Sequence, residues 1–361
     1  MHIPDNYLSP STCALLAVAA TPVLIRAIKK TTREFPKERF SALGAAAAFS
    51  FLAMMFNVPL PGGATGHAVG GTVLAVLLGP EAACLSLSIA LLIQALLFGD
   101  GGTLAFGANV FNMAFILPYV GYYSFLLFRK AFRAFARETE KNDATTLRLS
   151  DCVALGLGSY LGINAAALAA AVEFGVQPLL FTDGAGQALY CPYPLSVAIP
   201  AMALGHLTVF GLAEVVFSIA TYTFVCKAAP AFATNEALFA SKDDAASVDA
   251  ARPRESKGFG AISIALAALV ALTPLGLLAK GTAWGEWGTD EIAETVVDGA
   301  TLGYTPEGMT RGYEWRALIP DYAINGLPEW FSYILAAIAG AALSTIVFKL
   351  VGAFLSRKTS V

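Results

Sequence analysis

Charge is scarce in this 361-residue chain. Asp, Glu, Lys and Arg make up 14% of it, whereas 57% of residues are hydrophobic. Soluble domains carry about a quarter charged residues, so a water-soluble globular fold is excluded. With a net charge of −3, no nucleic-acid partner is expected. Five cysteines (Cys13, Cys84, Cys152, Cys191, Cys226) are scattered without a CxxC spacing. They read as small core residues and not as a disulfide framework or a zinc site. No GxxxxGK[ST] loop occurs, so the chain cannot itself use ATP. Only three histidines are present, His2, His67 and His206, and no HExxH motif, which argues against an intramembrane metalloenzyme. The basic-then-apolar order of a secretory signal is missing too. MHIPDNYLSP is polar, the next fifteen residues are apolar, and a basic stretch follows. That order predicts an N-terminus outside and a first helix that stays in place.

What is abundant is the long apolar block. A hydrocarbon core of about 30 Å needs roughly 20 apolar residues to cross it as a helix. Nine candidate spans fall near 9–28, 40–58, 65–79, 81–98, 104–128, 150–175, 195–226, 258–279 and 328–350. The third and fourth are short and separated only by Gly79-Pro80, as a tight helical hairpin or a partly re-entrant pair would be. Twenty of the 23 Lys and Arg residues lie in the connections after spans 1, 5 and 7 and at the C-terminal end. Only Lys280, Arg311 and Arg316 fall on the other side. The positive-inside rule then makes the rich side cytoplasmic, and nine spans put the N-terminus outside and the C-terminus inside.

The expected fold is therefore an all-α polytopic membrane protein. Residues 1–227 form a seven-span body, 228–257 a polar cytoplasmic linker, and 258–361 a two-span C-terminal module with an outside loop at 281–327. That loop carries Glu286, Asp290, Glu291 and Glu294, which either gather cations or solvate the loop. Ala42, Ala46 and Ser50 form a small-residue stripe on span 2 that permits close helix contact, either within the chain or with another subunit.

The charge count alone places His2 and His67 on the outer side. His2 next to a free terminal amine is chemically distinctive. The amine of Met1, the amide nitrogen of His2 and its imidazole Nδ1 can close fused chelate rings on one metal, and an imidazole from His67 completes a four-nitrogen square. Such a square suits Ni(II) or Cu(II), and Co(II) can occupy it. The competing reading makes His2 a frayed terminus and His67 a helix cap. Gly-rich Pro61-Gly62-Gly63-Ala64-Thr65-Gly66 either closes over the site or is an ordinary turn. Asn57, Gln94, Asp100, Asn109 and Asn112 sit near span ends. Of these, Asn57 and Gln94 are the candidates for holding the N-terminal segment or His67 from behind. His206 and Glu214, eight apart in span 7, are either a functional pair or a packing pair.

MHIPDNYLSP resembles the opening of the CbiM/NikM proteins, the substrate-binding (S) components of energy-coupling-factor cobalt and nickel transporters, which typically begin MHIPDG-[FY]-LSP. Asn6 replaces the Gly, and Asn is the next best residue for a positive φ. FNVPLPGGATGHAVGG (56–71), IQALLFGDGGTLAFGANVFNM (93–113) and GHLTVFGLAEVVFSIAT (205–221) are similar to further family blocks, and the resemblance covers residues 1–226. It implies metal ligation by the Met1 amine, the His2 amide and imidazole, and His67. It also implies two cytoplasmic ATPase subunits, one transmembrane coupling (T) subunit, and a place in the cytoplasmic membrane. No cofactor is implied; nickel or cobalt is the transported substrate. TPLGLLAKGTAWGEWGTDEI (273–292) resembles the small auxiliary component sometimes fused to these proteins. A self-sufficient ion-coupled carrier is the alternative function, with paired, interrupted spans as its signature.

Overall fold

The computed structural model describes residues 1–35, 40–60, 64–135, 149–229, 255–297 and 299–357. The expected linker lies almost wholly outside the described residues, as do residues 61–63 of the Gly-rich turn. The all-α membrane architecture is as expected: among the described residues, seven of the nine expected spans are helices long and apolar enough to cross a bilayer, and those expected at 40–58 and 65–79 are shorter.

Helix α1 (Pro10–Glu34) starts where the sequence says it should. Ser9 is extended, its Oγ accepts from Thr12 N at 3.1 Å, and Pro10 occupies the first turn, where a missing N–H costs nothing. α2 (Phe40–Met54) has 15 described residues, nearly all buried. Ala42, Ala46 and Ser50 are buried within the chain, and the final helix (Glu329–Arg357) packs along the opposite face of α2, that of Gly44 and Phe51. Gly44 abuts the Thr345 backbone and Gly340 abuts the Phe51 ring. The stripe is thus filled by intrachain packing.

The third span departs from a simple helix. β1 (Val58–Pro59) and β2 (Thr65–Gly66) pair antiparallel, the chain runs on without regular structure through His67–Val69, and only then does α3 (Gly71–Leu78) form. α4 begins at Pro80 and continues through a π-helical turn (Gln94–Phe98). Glu81 at its start accepts from Lys30 Nζ at 3.0 Å and lies 3.5 Å from Arg26 Nε, both on α1. The Gly79-Pro80 corner is therefore at the opposite end of the bundle from His2. The third span thus runs from the β1–β2 pair through an irregular stretch into an eight-residue helix, and is not one arm of a plain helical hairpin.

Non-helical backbone inside an apolar bundle must find partners. Ser50 Oγ donates to Val69 O at 2.7 Å. The Glu214 carboxylate accepts from Val69 N at 2.7 Å and from Gly70 N at 3.0 and 3.1 Å. Glu214 is fully buried and sits at the N-terminus of α3, where the helix dipole favours a negative group. Gly70 takes φ +74° here, and a Cβ would strike the Phe49 ring.

α5 (Phe106–Asn109), a π segment (Val110–Ile116) and α6 (Leu117–Phe135) make one continuous span; α7 (Leu149–Gly175) and α8 (Gln177–Leu180) make the next. α9 (Leu195–Gly205), a third π segment (His206–Phe210) and α10 (Gly211–Ala228) complete the body. That π segment separates His206 from Glu214, and the two do not bond each other. His206 Nδ1 pairs with Met202 O at 2.8 Å, so the expected pair is replaced by two residues with separate partners. All five cysteines are free.

Replacing Glu214 by Ala strands two buried N–H groups, at about 1–3 kcal/mol each. Thermal unfolding in detergent should show a marked fall for Glu214→Ala and a smaller one for Glu214→Gln, which keeps one acceptor oxygen.

Candidate metal centre

The chain's first nine residues are threaded into one end of the bundle. Met1, His2, Ile3, Tyr7, Leu8 and Ser9 are all buried. Each main-chain polar group so buried needs a partner, and the partners come from far along the sequence. Asn109 closes a two-way pair on Ile3, accepting from its N–H at 2.8 Å and donating to its carbonyl at 3.1 Å. Gly102 N donates to the same carbonyl at 2.8 Å. Asp5 accepts from Thr103, Leu104 and Ala105 N–H at 3.0, 2.7 and 3.1 Å. Gly102 lies against Asp5 so closely that a Cβ would overlap it. Gln177 accepts from Ser9 N at 3.0 Å. Asn6 has φ +68°, the left-handed conformation its place in the sequence predicts, and its amide pairs both ways with the Tyr313 backbone at 2.8 and 2.9 Å.

This threading carries His2 to His67. His2 Nδ1 lies 3.2 Å from His67 Nε2, with ring centroids 5.0 Å apart. His67 Nδ1 faces Ala68 O at 3.2 Å. A proton on Nδ1 suits that carbonyl and leaves the Nε2 lone pair toward His2. Asp100 Oδ1 is 3.3 Å from His2 Nδ1. Its other oxygen accepts from Gln94 Nε2 at 3.2 Å and from the Tyr322 hydroxyl. Tyr322 follows Asp321, and both have positive φ (60° and 53°), a strained pair of the kind that clusters at functional sites. The Tyr322 ring stacks on Phe98 at 4.7 Å. His2 Nε2 and Gln94 Oε1 are both buried without a hydrogen-bond partner, though Gln94 lies against His2.

The loop of the C-terminal module closes over this end. Glu286 Oε1 stands 3.5 Å from the Met1 amine. Burial raises the Glu286 carboxyl to about 7, and the ammonium opposes that rise. Asp290, Glu291 and Glu294 stay exposed, so one acidic residue of the four turns inward. Trp287 O accepts from the Tyr7 hydroxyl at 2.8 Å. Trp284 packs on Phe174 and Tyr193. Burial, and then the nearby ammonium, holds His2 down at about 3, so its imidazole is neutral at ordinary pH.

Among the described residues, no group of three or more His, Cys, Asp or Glu side chains is disposed to hold a metal. Met1, His2 and His67 are brought together, and Gln94 adjoins them. Asn57 sits half-buried beyond α2 and bonds through its main chain to Met55 O; its side chain bonds neither His67 nor the N-terminal segment. Asn109, Asp5 and Gln177 hold that segment instead. Asn109 stood among the polar span-end residues, but Asp5 and Gln177 carried no signal beyond being polar. The three π segments begin at Gln94, Val110 and His206, beside the site's polar residues. π turns often mark functional positions, and nothing in a hydropathy pattern reveals them.

A multi-pass bundle holding two neutral, facing imidazoles at its N-terminal end has the form of a membrane metal-transport protein. Residues 2–232 match the CbiM family model, described as a cobalt uptake substrate-specific transmembrane region, and residues 260–357 match the PDGLE domain. The chain belongs to the CbiM family. It is 45% identical to "Probable fused nickel transport protein LarMN" of Lactiplantibacillus plantarum over 97% of both chains. It is 43% identical to "Fused nickel transport protein NikMN" of Rhodobacter capsulatus, over 95% of this chain and 94% of that one. A crystal structure of a truncated transition metal transporter superposes with a TM-score of 0.56 at 50% identity, covering 62% of this chain and 98% of that one.

Asn109→Ala removes both bonds to Ile3 and leaves its buried amide unpaired. The Ile3 amide should then exchange hydrogen faster, and metal affinity should fall about 10–100-fold, as for lost supports of metal ligands. Wild-type affinity in titration calorimetry would remove Asn109 from the site's support.

Proposed function

We propose that the chain captures Ni(II) or Co(II) on the outer face of the cytoplasmic membrane. It then delivers the ion inward as the substrate-specific subunit of an ATP-driven energy-coupling-factor importer. The observation that carries this reading is the 3.2 Å approach of His2 Nδ1 to His67 Nε2. Metal–imidazole bonds run about 2.0–2.1 Å, so adjacent corners of a nitrogen square lie about 2.9 Å apart. The two rings are thus already spaced as neighbouring corners, with the Met1 amine and His2 amide to fill the others.

Gln94 fits the same scheme. Metal on His2 Nδ1 requires the ring proton on Nε2, and the unpartnered Gln94 Oε1 is available to accept it. The amine must bind as the neutral base, and the amide must lose its proton. Metal binding therefore releases protons, and affinity should rise with pH between about 6 and 8. His2 adds no proton of its own in that window. Titration calorimetry across that range tests this; a pH-independent affinity would remove the deprotonated amide from the coordination.

The relatives are transport proteins, which supports a carrier over an enzyme. The reading expects transport energy from two ATPase subunits and one coupling subunit, since this chain has no nucleotide-binding loop. One feature favours the ion-coupled alternative, namely the interrupted third segment ahead of the eight-residue helix Gly71–Leu78, since such carriers use interrupted spans. Uptake by the chain alone in vesicles, driven by an ion gradient, would decide for that alternative. Uptake that needs the partner subunits and ATP supports the importer.

An extra residue before Met1 moves the amine off the chelate ring, and His67→Ala removes one corner. Each should reduce Ni(II) affinity at least 100-fold. Retained affinity in the extended protein would overturn the coordination.

A further inference from the structure

His206 is left over by the reading above. It is buried in the interior of a span, where an ionisable side chain needs a reason. Its imidazole also lines a cavity of about 230 Å³ whose wall includes Met1 and His67. Of the lining residues, His206 is the one ionisable side chain outside the four-nitrogen set. The rest of the wall is mostly apolar, including Leu60, Met202 and Trp284.

The local geometry fixes how the ring is presented. His206 opens the π segment, and its Nδ1 pairs with Met202 O one turn earlier. With the Nδ1 proton given to that carbonyl, Nε2 keeps its lone pair, as a metal-binding imidazole requires. Phe210 meets the His206 ring edge-on at 5.3 Å and also fills the space beside Gly66. One aromatic ring thus ties His206 to the residue that precedes His67. Packing alone would need no imidazole here, because an apolar ring fills the same volume.

Met1 and His2 are 6% and 2% exposed and His67 is half-buried, so an ion reaches the amine and His2 only past other side chains. The cavity gives it a way in, bordered at once by Met1, His67 and His206.

We propose that this cavity is the entry vestibule for the metal, and that His206 Nε2 is a transient ligand there to a hydrated divalent transition-metal cation, which then passes to His67 and the N-terminal amine. The proposal rests on the coordination argued above. Imidazole suits Ni(II), and one nitrogen at the mouth replaces one bound water before the full chelate forms. The entry ligand governs the rate of loading, whereas the final four nitrogens govern the affinity.

The test is stopped-flow mixing of the purified full chain with Ni(II) alone, read by quenching of tryptophan fluorescence, since Trp284 lines the vestibule. His206→Phe keeps a ring against Phe210 without the nitrogen. It should bind one Ni(II) per chain at saturation, with an association rate about tenfold lower. Ala201→Phe, which narrows the cavity and keeps His206, should slow loading similarly and serves if the first variant does not fold. Wild-type association rates in the folded variants would overturn the vestibule. Failure of the parent reading looks different, because His2→Ala would then keep full affinity. If that reading holds, His2→Ala should show only a fast, weak quench that His206→Phe abolishes in the double variant. A weak quench that survives in the double variant would also overturn the role of His206.

Discussion

Main-chain hydrogen bonding in a place without water is the constraint on which this structure depends. The N-terminal nine residues are not helical, yet they lie inside a helical bundle. Every buried amide and carbonyl there has to be met by something other than its own helix. Asn109, Gln177 and the Gly102 amide meet those of Ile3 and Ser9, and the Asp5 carboxylate ties the segment to the amides of residues 103–105. Once those bonds form, the positions of Met1 and His2 follow, because few torsions remain free between Ile3 and the terminus. The placement of Met1 and His2 is inherited from groups about 100 to 170 residues away.

The same constraint explains the broken third span. His67 reaches His2 from a non-helical stretch that follows β2. Leaving that stretch non-helical frees amides inside the bundle, and Glu214 takes them. A fully buried carboxylate is costly alone. Two or more N–H donors and the positive end of α3 offset that cost. The π turns at Gln94, Val110 and His206 are a third instance, each altering helix register beside the site.

The C-terminal module joins the same end. Its loop places Glu286 beside the amine, Tyr322 on Asp100 and the Tyr313 backbone on Asn6. Its last helix packs along the Gly44 and Phe51 face of α2. The two family-matched regions therefore share one interior, and the cover over Met1 and His2 is built from both.

Hydropathy and charge were enough to read the polytopic helical fold, because a bilayer imposes its thickness on the sequence as runs of apolar residues. The polar start, the Ser-Pro cap of α1 and the positive φ at Asn6 were also legible, since each is a local preference. The pairing of Met1, His2 and His67 could be inferred from a resemblance. Its supports could not, because Asp5, Gln177 and Glu214 look like any other polar residue until the chain is folded. The interrupted third span was hidden for the same reason. Apolar composition is identical for irregular and helical backbone in a core, and only a distant carboxylate decided between them. Sequence determined which segments enter the membrane; tertiary structure decided which of their backbone groups would be free to shape a site.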